Sequence, residues 1–367
     1  MTQIFPIFII SLFVFFCLYI VYKYSNIQIS IVTKISISKD ILKSDSSISE
    51  PKYLTLKPNR GRLGNQLFRI LSGYGIARSL NRLHNFWVPS DYVKEIDKHR
   101  LKLEKIFPNL NNSYVFAKFN NNTTTKSVEF GLFNGHSTCC VYEDPIKLRK
   151  YSNYTHLRIG LVYAQSPYYW RSHENEVRKL LIFGNSTISE GDEIIRDWNI
   201  DMSKGLHHLC VHSRRTDFIK NKEASEKDFT IKAVNFIMEN EISEKSGIVL
   251  FGDDRAFNED LREDLRKIYS DEINYYIVES SEGVEWYLSS KLCTSTLITA
   301  SESTFSWFIG YHSKNNSNVY YDNSVTRKSY PTMDIFPKEW KPLYLINNTT
   351  ISIFPISKQI RSKYNTQ

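Results

Sequence analysis

The chain has 367 residues, 41% apolar and 14% aromatic, a composition that supports a sizeable core and excludes an intrinsically disordered protein. Its formal net charge of +8 suits a phosphate-bearing ligand or an anionic membrane face. Lys and Arg are nevertheless spread along the chain without a basic block, and neither zinc-finger spacing nor a nucleic-acid-binding fingerprint occurs, so no nucleic acid partner is expected.

Residues 1–3 read as a short cytoplasmic tail. Residues 4–22, IFPIFIISLFVFFCLYIVY, run without a charge for about 28 Å as a helix, long enough to cross a bilayer. The run exceeds a usual signal-peptide core and lacks a small-residue cleavage site, which argues for a transmembrane signal anchor. Lys23, Lys34 and Lys39 follow it and oppose a lumenal domain under the positive-inside rule. Against this stand eight N-x-S/T acceptors, Asn111, Asn121, Asn122, Asn153, Asn185, Asn315, Asn347 and Asn348, all downstream. A long C-terminal domain translocates largely regardless of flanking charge, so the expectation is a single-pass type II protein with its globular part in the secretory lumen.

Residues 23–51, rich in Ser, Ile and Lys, read as a stem. From there, short β-rich runs alternate with longer amphipathic ones: a strand at YLTL, a helix through NQLFRILSGYGIARSLN, a strand in HNFWVP. Residues 111–125 read as a polar surface loop. The alternation resumes with strands in HHLCVH, GIVLF, NYYIVE and TLITA and helices in KDFTIKAVNFIMENEI, NEDLREDLRKIY, VEWYLSSKLC and STFSWFIGYH. This order predicts an α/β fold with a largely parallel, doubly wound sheet, divided into an N-terminal subdomain over 52–205 and a C-terminal one over 206–367.

Of five cysteines, Cys17 falls in the apolar run, and Cys139, Cys140, Cys210 and Cys293 remain, with three connectivities open. Adjacent Cys139 and Cys140 are not expected to bond to each other, and no pair has zinc-ligand spacing. One or two lumenal disulfides, or free buried thiols, fit the count.

Ligands of open α/β sheets sit beyond the carboxyl ends of strands, and three strand ends carry polar residues there. HSRRTD supplies His212, Arg214, Arg215 and Asp217, and its paired guanidinium forks suit a diphosphate or a surface ion pair with Asp217. SEST places Ser303 and Thr304 in the first turn of a helix, as anion donors or as an ordinary N-cap. GDD offers Asp253 and Asp254 to a base, a ribose or a divalent metal, or as a helix cap. Upstream, Gly61 and Gly64 of NRGRLGNQLF permit a tight turn close to a ligand, although no P-loop GK[ST] follows.

In this order behind an apolar N-terminus, GRLGNQLF, VHSRRTDF, FGDD, ASESTFSWFIGY and the closing DIFPKEW resemble the α1,2-fucosyltransferases, glycosyltransferase family 11, over roughly residues 55–345. The resemblance implies a GT-B fold of two Rossmann-like halves in the Golgi membrane. It also implies a GDP-fucose donor and a metal-independent, inverting transfer to a glycan hydroxyl, foremost the 2-hydroxyl of galactose. Arg214 with Arg215 would neutralise the GDP leaving group. His212 and Asp254 look like guanine contacts and Ser303, Thr304 and Phe305 like diphosphate contacts, while Asn65 and Arg62 would face the fucose or its phosphate. The general base is not identified; Asp217 and Glu223 are candidates. HSRRTD in place of HVRRGD, Trp307-Phe308 in place of a double tryptophan, and Glu302 before Ser303 mark a divergent member. An α1,6 or other linkage, and a non-catalytic binding ectodomain on the same fold, are the alternatives.

Overall fold

The structure is a computed structural model that describes residues 50–133, 135–137, 139–240, 246–269, 273–315, 318–323 and 334–353. The expected anchor, and the stem apart from residues 50–51, lie outside the described residues; among the described ones no helix is long and apolar enough to cross a membrane. The residues from Lys52 onward form one compact unit.

Two parallel sheets organise it. The first takes strands β1 (Tyr53–Leu56), β2 (Leu83–His84), β3 (Thr125–Val128) and β4 (His156–Ile159) in the order β2-β1-β4-β3. The register pairs Leu54 with His84 and Leu157, and Leu157 with Lys126. Helix α1 (Leu63–Ser79) links β1 to β2 and is buried along most of its surface. That suits its sequence, which carries apolar or small side chains on every face. Next comes α2 (Val93–Ile106), whose buried Ile96, Leu103 and Ile106 lie on one side. The expected surface loop over residues 111–125 is one only in part: residues 111–113 end a 3₁₀ helix, Ser113 and Tyr114 are buried, Val115 bridges to Asn85, and Thr125 opens β3, which has no apolar alternation to announce it.

The second sheet comprises β5 (His207–Ser213), β6 (Ser246–Gly252), β7 (Asn274–Ile277), β8 (Cys293–Ile298), β9 (Val319–Asp322), β10 (Lys341–Ile346) and β11 (Thr350–Ser352). Its order is β11-β10-β9-β8-β5-β6-β7, with only the β10–β11 pair antiparallel. From β5 the chain winds outward through α3 (Lys227–Asn240), β6, α4 (Arg255–Tyr269) and β7. It then returns through α5 (Glu282–Leu292) to β8, on the other flank of β5, and continues through α6 (Thr304–His312) to β9. The winding direction therefore reverses between β5 and β8, the position at which open α/β sheets bind ligands. β5 and β8 are buried almost throughout, as strands covered on both faces are, although only β6 carries a continuous apolar run, IVLF; HHLCVHS and CTSTLI are about half polar.

An aromatic cluster packs α1, α5 and α6 together, with Phe68 against Trp307 (4.7 Å) and Phe308 (4.9 Å) and Trp286 against Phe305 (5.0 Å). The DIFPKEW segment closes over it. Trp307 Nε1 donates to Ile335 O (3.0 Å), Trp340 lies against Trp307 (5.2 Å), and Phe336 stacks on Tyr321.

Two disulfides are formed among the described residues. Cys210–Cys293 ties β5 to β8. Contrary to expectation, Cys139 bonds to Cys140. Consecutive side chains point apart in an extended chain, but Cys140 has φ of +72°. The left-handed turn brings both sulfurs to one side, 3.4 and 3.2 Å from Gln165 Oε1.

Candidate active site

At the reversal point lies a cleft of about 620 Å³. It is built by the β1–α1 turn, the β5–α3 connection, the β6–α4 turn, the start of α5 and the β8–α6 turn, with His99, Cys139, Tyr163 and Gln165 completing the wall.

The β1–α1 turn is fixed from within. Gln66 Nε2 donates to Asn59 O (3.0 Å), Asn59 Oδ1 (3.0 Å) and Gly61 O (2.8 Å), while Asn59 Nδ2 donates to Val162 O. Both glycines are there for contact. A Cβ on Gly61 would lie 2.3 Å from Asn65 Cβ, and one on Gly64 would lie 2.7–2.9 Å from Thr304 and the backbone nitrogen of Phe305. The N-terminal turn of α1 consequently abuts the N-terminal turn of α6. First-turn N–H groups have no partner inside their own helix, and both dipoles present their positive ends. α1 has no side-chain cap and no acidic residue in its first turn; Ser303 caps α6 by accepting from Ser306 N.

Cationic side chains frame the same space. Arg214, with 13% of its side chain exposed, meets Asp217 Oδ1 at 2.7 Å and Asp253 Oδ2 at 3.2 Å. From the opposite turn, Arg62 reaches Asp217 Oδ2 at 2.6 Å. Asp253 is engaged further, accepting from Arg215 N and from the Thr216 hydroxyl. His212 is 1% exposed, its Nδ1 2.8 Å from Ser306 Oγ, and burial pushes it down to about 4, so the ring is neutral at physiological pH. Phe305 lies against His212 (5.5 Å) and Trp286, forming an apolar wall.

Arg62, Asn65, His212, Arg214, Asp217, Glu223, Ser303, Thr304 and Phe305 all line the cleft. Arg215 and Asp254 do not. Arg215 turns away to donate to Ser225 O (2.7 Å), covers the Phe257 ring and pairs with Asp254 (3.5 Å); Asp254 caps α4 by accepting from Phe257 N. The alternation of side chains after β6 points Asp253, and not Asp254, into the cleft. Among the described residues, no group of three His, Cys, Asp or Glu side chains is placed to hold a metal ion.

Two participants escaped the sequence reading. Glu285, on α5, lines the cleft, and burial, then Glu282 and Asp253, push its carboxyl up to about 8. A lone acidic residue inside the apolar run VEWYL was the available signal. Gln165 has no such signal: it donates through Nε2 to Asn65 Oδ1, and its Oε1 faces the Cys139–Cys140 pair.

No family model matches the chain. It is 32% identical over 320 residues, 82% of each chain, to the svh-11 protein of Caenorhabditis elegans. It is 31% identical over 307 residues, 79% of each chain, to a galactoside 2-alpha-L-fucosyltransferase of Caenorhabditis elegans. Among solved structures it is similar to the fucosyltransferase NodZ from Bradyrhizobium, at 13% identity and a TM-score of 0.43, over 72% of this chain and 94% of that one.

Proposed function

The chain belongs to the galactoside 2-α-L-fucosyltransferase family and is a fucosyltransferase, and from that premise we propose that it moves fucose from GDP-fucose to the 2-hydroxyl of a galactose on a glycan, with inversion and without a metal. One observation carries this reading: two helix N-termini, α1 and α6, meet in one cleft with Arg62 and Arg214. Such a convergence matches the two negative charges of a diphosphate and little else. In this reading the two halves of the chain form a GT-B fold around that cleft.

As the fucosyl C–O bond breaks, its electron pair leaves with GDP. Arg214, Arg62 and the first-turn N–H groups of α6 receive the growing charge where no solvent need reorganise. Asp217 has both oxygens committed to arginines, so it serves as their orienter. Glu223, the other carboxylate singled out in this connection, takes the proton from the acceptor hydroxyl as its oxygen attacks the anomeric carbon. Glu285 and the neutral His212, beside the Phe305 wall, receive the guanine, whose ring N–H groups need an acceptor. Metal independence is supported by Asp253, whose oxygens are held by Arg214, Arg215 N and Thr216 and are not paired with Asp254.

A lumenal, Golgi-membrane location is part of the proposal. The eight acceptor asparagines are all exposed, and all four described cysteines are oxidised. The test is turnover of the full-length chain with radiolabelled GDP-fucose in excess chelator against galactose-terminated glycans, with linkage analysis of the product. Label on the galactose 2-hydroxyl is expected. An α1,6 product, or activity that needs added manganese, would contradict the corresponding part.

A further inference from the structure

Beside the cleft lies a second, smaller cavity of about 270 Å³, which the chemistry above leaves unused. It sits at the carboxyl ends of β1, β3 and β4 and is lined by Thr55, Trp87, Glu129, His156 and Arg158 among others. In β1 and β4, Thr55, His156 and Arg158 alternate with the buried Leu54, Leu56, Leu157 and Ile159, which belong to the core around α1. The cavity therefore opens on the sheet face turned away from that core. Parallel sheets are normally covered on both faces by apolar packing; here Phe119, stacked on His156 at 4.0 Å and edge-on to Tyr53, covers part of a face whose other side chains, Thr55, His156 and Arg158, are polar.

Its chemistry is selective. Trp87 leaves 52% of its surface exposed, while its backbone is pinned by Arg69 Nη2 donating to Trp87 O at 2.5 Å. His156 is only 1% exposed, and its Nε2 lies 2.8 Å from Thr55 Oγ1, which also accepts from Asn85 Nδ2 at 3.0 Å. His156 Nδ1 has no hydrogen-bond partner among the described residues. Burial, with Arg158 and Arg82 nearby, pushes His156 down to about 4, so the ring is neutral.

A half-exposed indole, a carboxylate and a guanidinium, beside a buried imidazole bonded to Thr55 and stacked on Phe119, suit a ligand with one apolar face and many neutral hydroxyls. Glu129 opposes an anion, and the volume is small for a nucleotide. Lys57 and Pro58 line the cavity while Arg60 lines the cleft; Gly160 lines the cavity while Tyr163 lines the cleft. Along either segment the backbones of these lining residues lie within about 11 Å of each other.

We propose that this cavity is a second saccharide subsite, holding a hexopyranose of the acceptor glycan a short reach from the sugar that receives fucose, with its apolar face on Trp87. The inference rests on the reading of a galactose-terminated acceptor.

The test compares methyl β-galactoside with a tetrasaccharide ending in the same galactoside, by titration into the full-length protein saturated with GDP. The tetrasaccharide should bind about tenfold tighter to the wild type. Trp87→Ala should erase that gain and leave methyl β-galactoside and GDP binding unchanged, and Trp87→Phe should restore part of it. Equal affinity of the wild type for both sugars, or a tetrasaccharide affinity indifferent to Trp87→Ala, would overturn the proposal. So would a uniform loss of all three ligands in that variant. Fucose transfer to methyl β-galactoside, measured in parallel, separates the two readings: Trp87-dependent gain without any transfer would sink the galactose acceptor and leave the subsite standing.

Discussion

Arg62 and Asp217 meet at 2.6 Å, and through the other oxygen of the same carboxylate Asp217 also holds Arg214. One carboxylate thus spans two guanidinium groups contributed by turns more than 150 residues apart in sequence. That is the spacing a diphosphate would exploit, and Asp217 competes with it. Arg214→Ala should lower transfer by about 10²–10³-fold, the cost of one donor to a developing anion, and leave the thermal unfolding temperature near wild type. Asp217→Asn keeps an amide oxygen that can still orient an arginine but removes the competing charge, so it should tighten GDP several-fold. Titration calorimetry with GDP on both variants checks the pair, and wild-type turnover in Arg214→Ala would refute the donor site.

The approach of α1 to α6 depends on Gly64. A methyl group there would stand 2.7–2.9 Å from Thr304 and Phe305 N, and most of what it meets is backbone, which cannot swing aside. Gly64→Ala should push the two N-termini apart and cost about 10²-fold in kcat, as small misplacements of binding groups do, with circular dichroism unchanged. Retention of full activity would show that the helix junction does not position the donor.

Glu285 yields a pH signature. Its carboxyl is pushed up to about 8 by burial from the ordinary 4.5, so between those values the folded protein binds the more protons. Stability should fall as pH rises through that window and level off above it. Glu285→Gln should abolish this slope in denaturant titrations run from pH 5 to 9. If the ionised carboxylate accepts from guanine, wild-type affinity for GDP should also rise up to about pH 8, and the Gln variant should show a flat profile.

Four of the seven strands of the second sheet, β5 to β8, were legible as short apolar or β-rich runs between amphipathic helices, three of them ending in polar turns, whereas β9, β10 and β11 were not read from the sequence. The turns HSRRTD, GDD and SEST stood at the strand ends the fold requires, and nine named side chains come together in the cleft. What escaped was set by three-dimensional contact. A strand such as TKSV on a polar sheet face has no apolar alternation to reveal it. Which of Asp253 and Asp254 faces the cleft depends on where β6 ends, a one-residue matter that propensity does not resolve. The Cys139–Cys140 bond depends on the left-handed backbone at Cys140, and Gln165 matters only because the chain delivers it to Asn65.

Cys210–Cys293 joins β5 and β8, neighbours in the sheet that the chain visits 83 residues apart. These are the strands between which the winding reverses, and the site opens at their carboxyl ends. Closing so long a loop constrains the unfolded chain, an effect of about 4–5 kcal/mol in the chain-entropy account. Both cysteines are fully buried, so a mild reductant should leave the native bond intact and cleave it only once denaturant opens the fold. A Cys210→Ala/Cys293→Ala double variant isolates this bond from the Cys139–Cys140 pair. It should lose several kcal/mol in urea titrations while keeping measurable transfer at low temperature, since neither cysteine lines the cleft. A midpoint equal to wild type would mean that hydrogen bonding between the two strands, without the crosslink, holds the crevice in register.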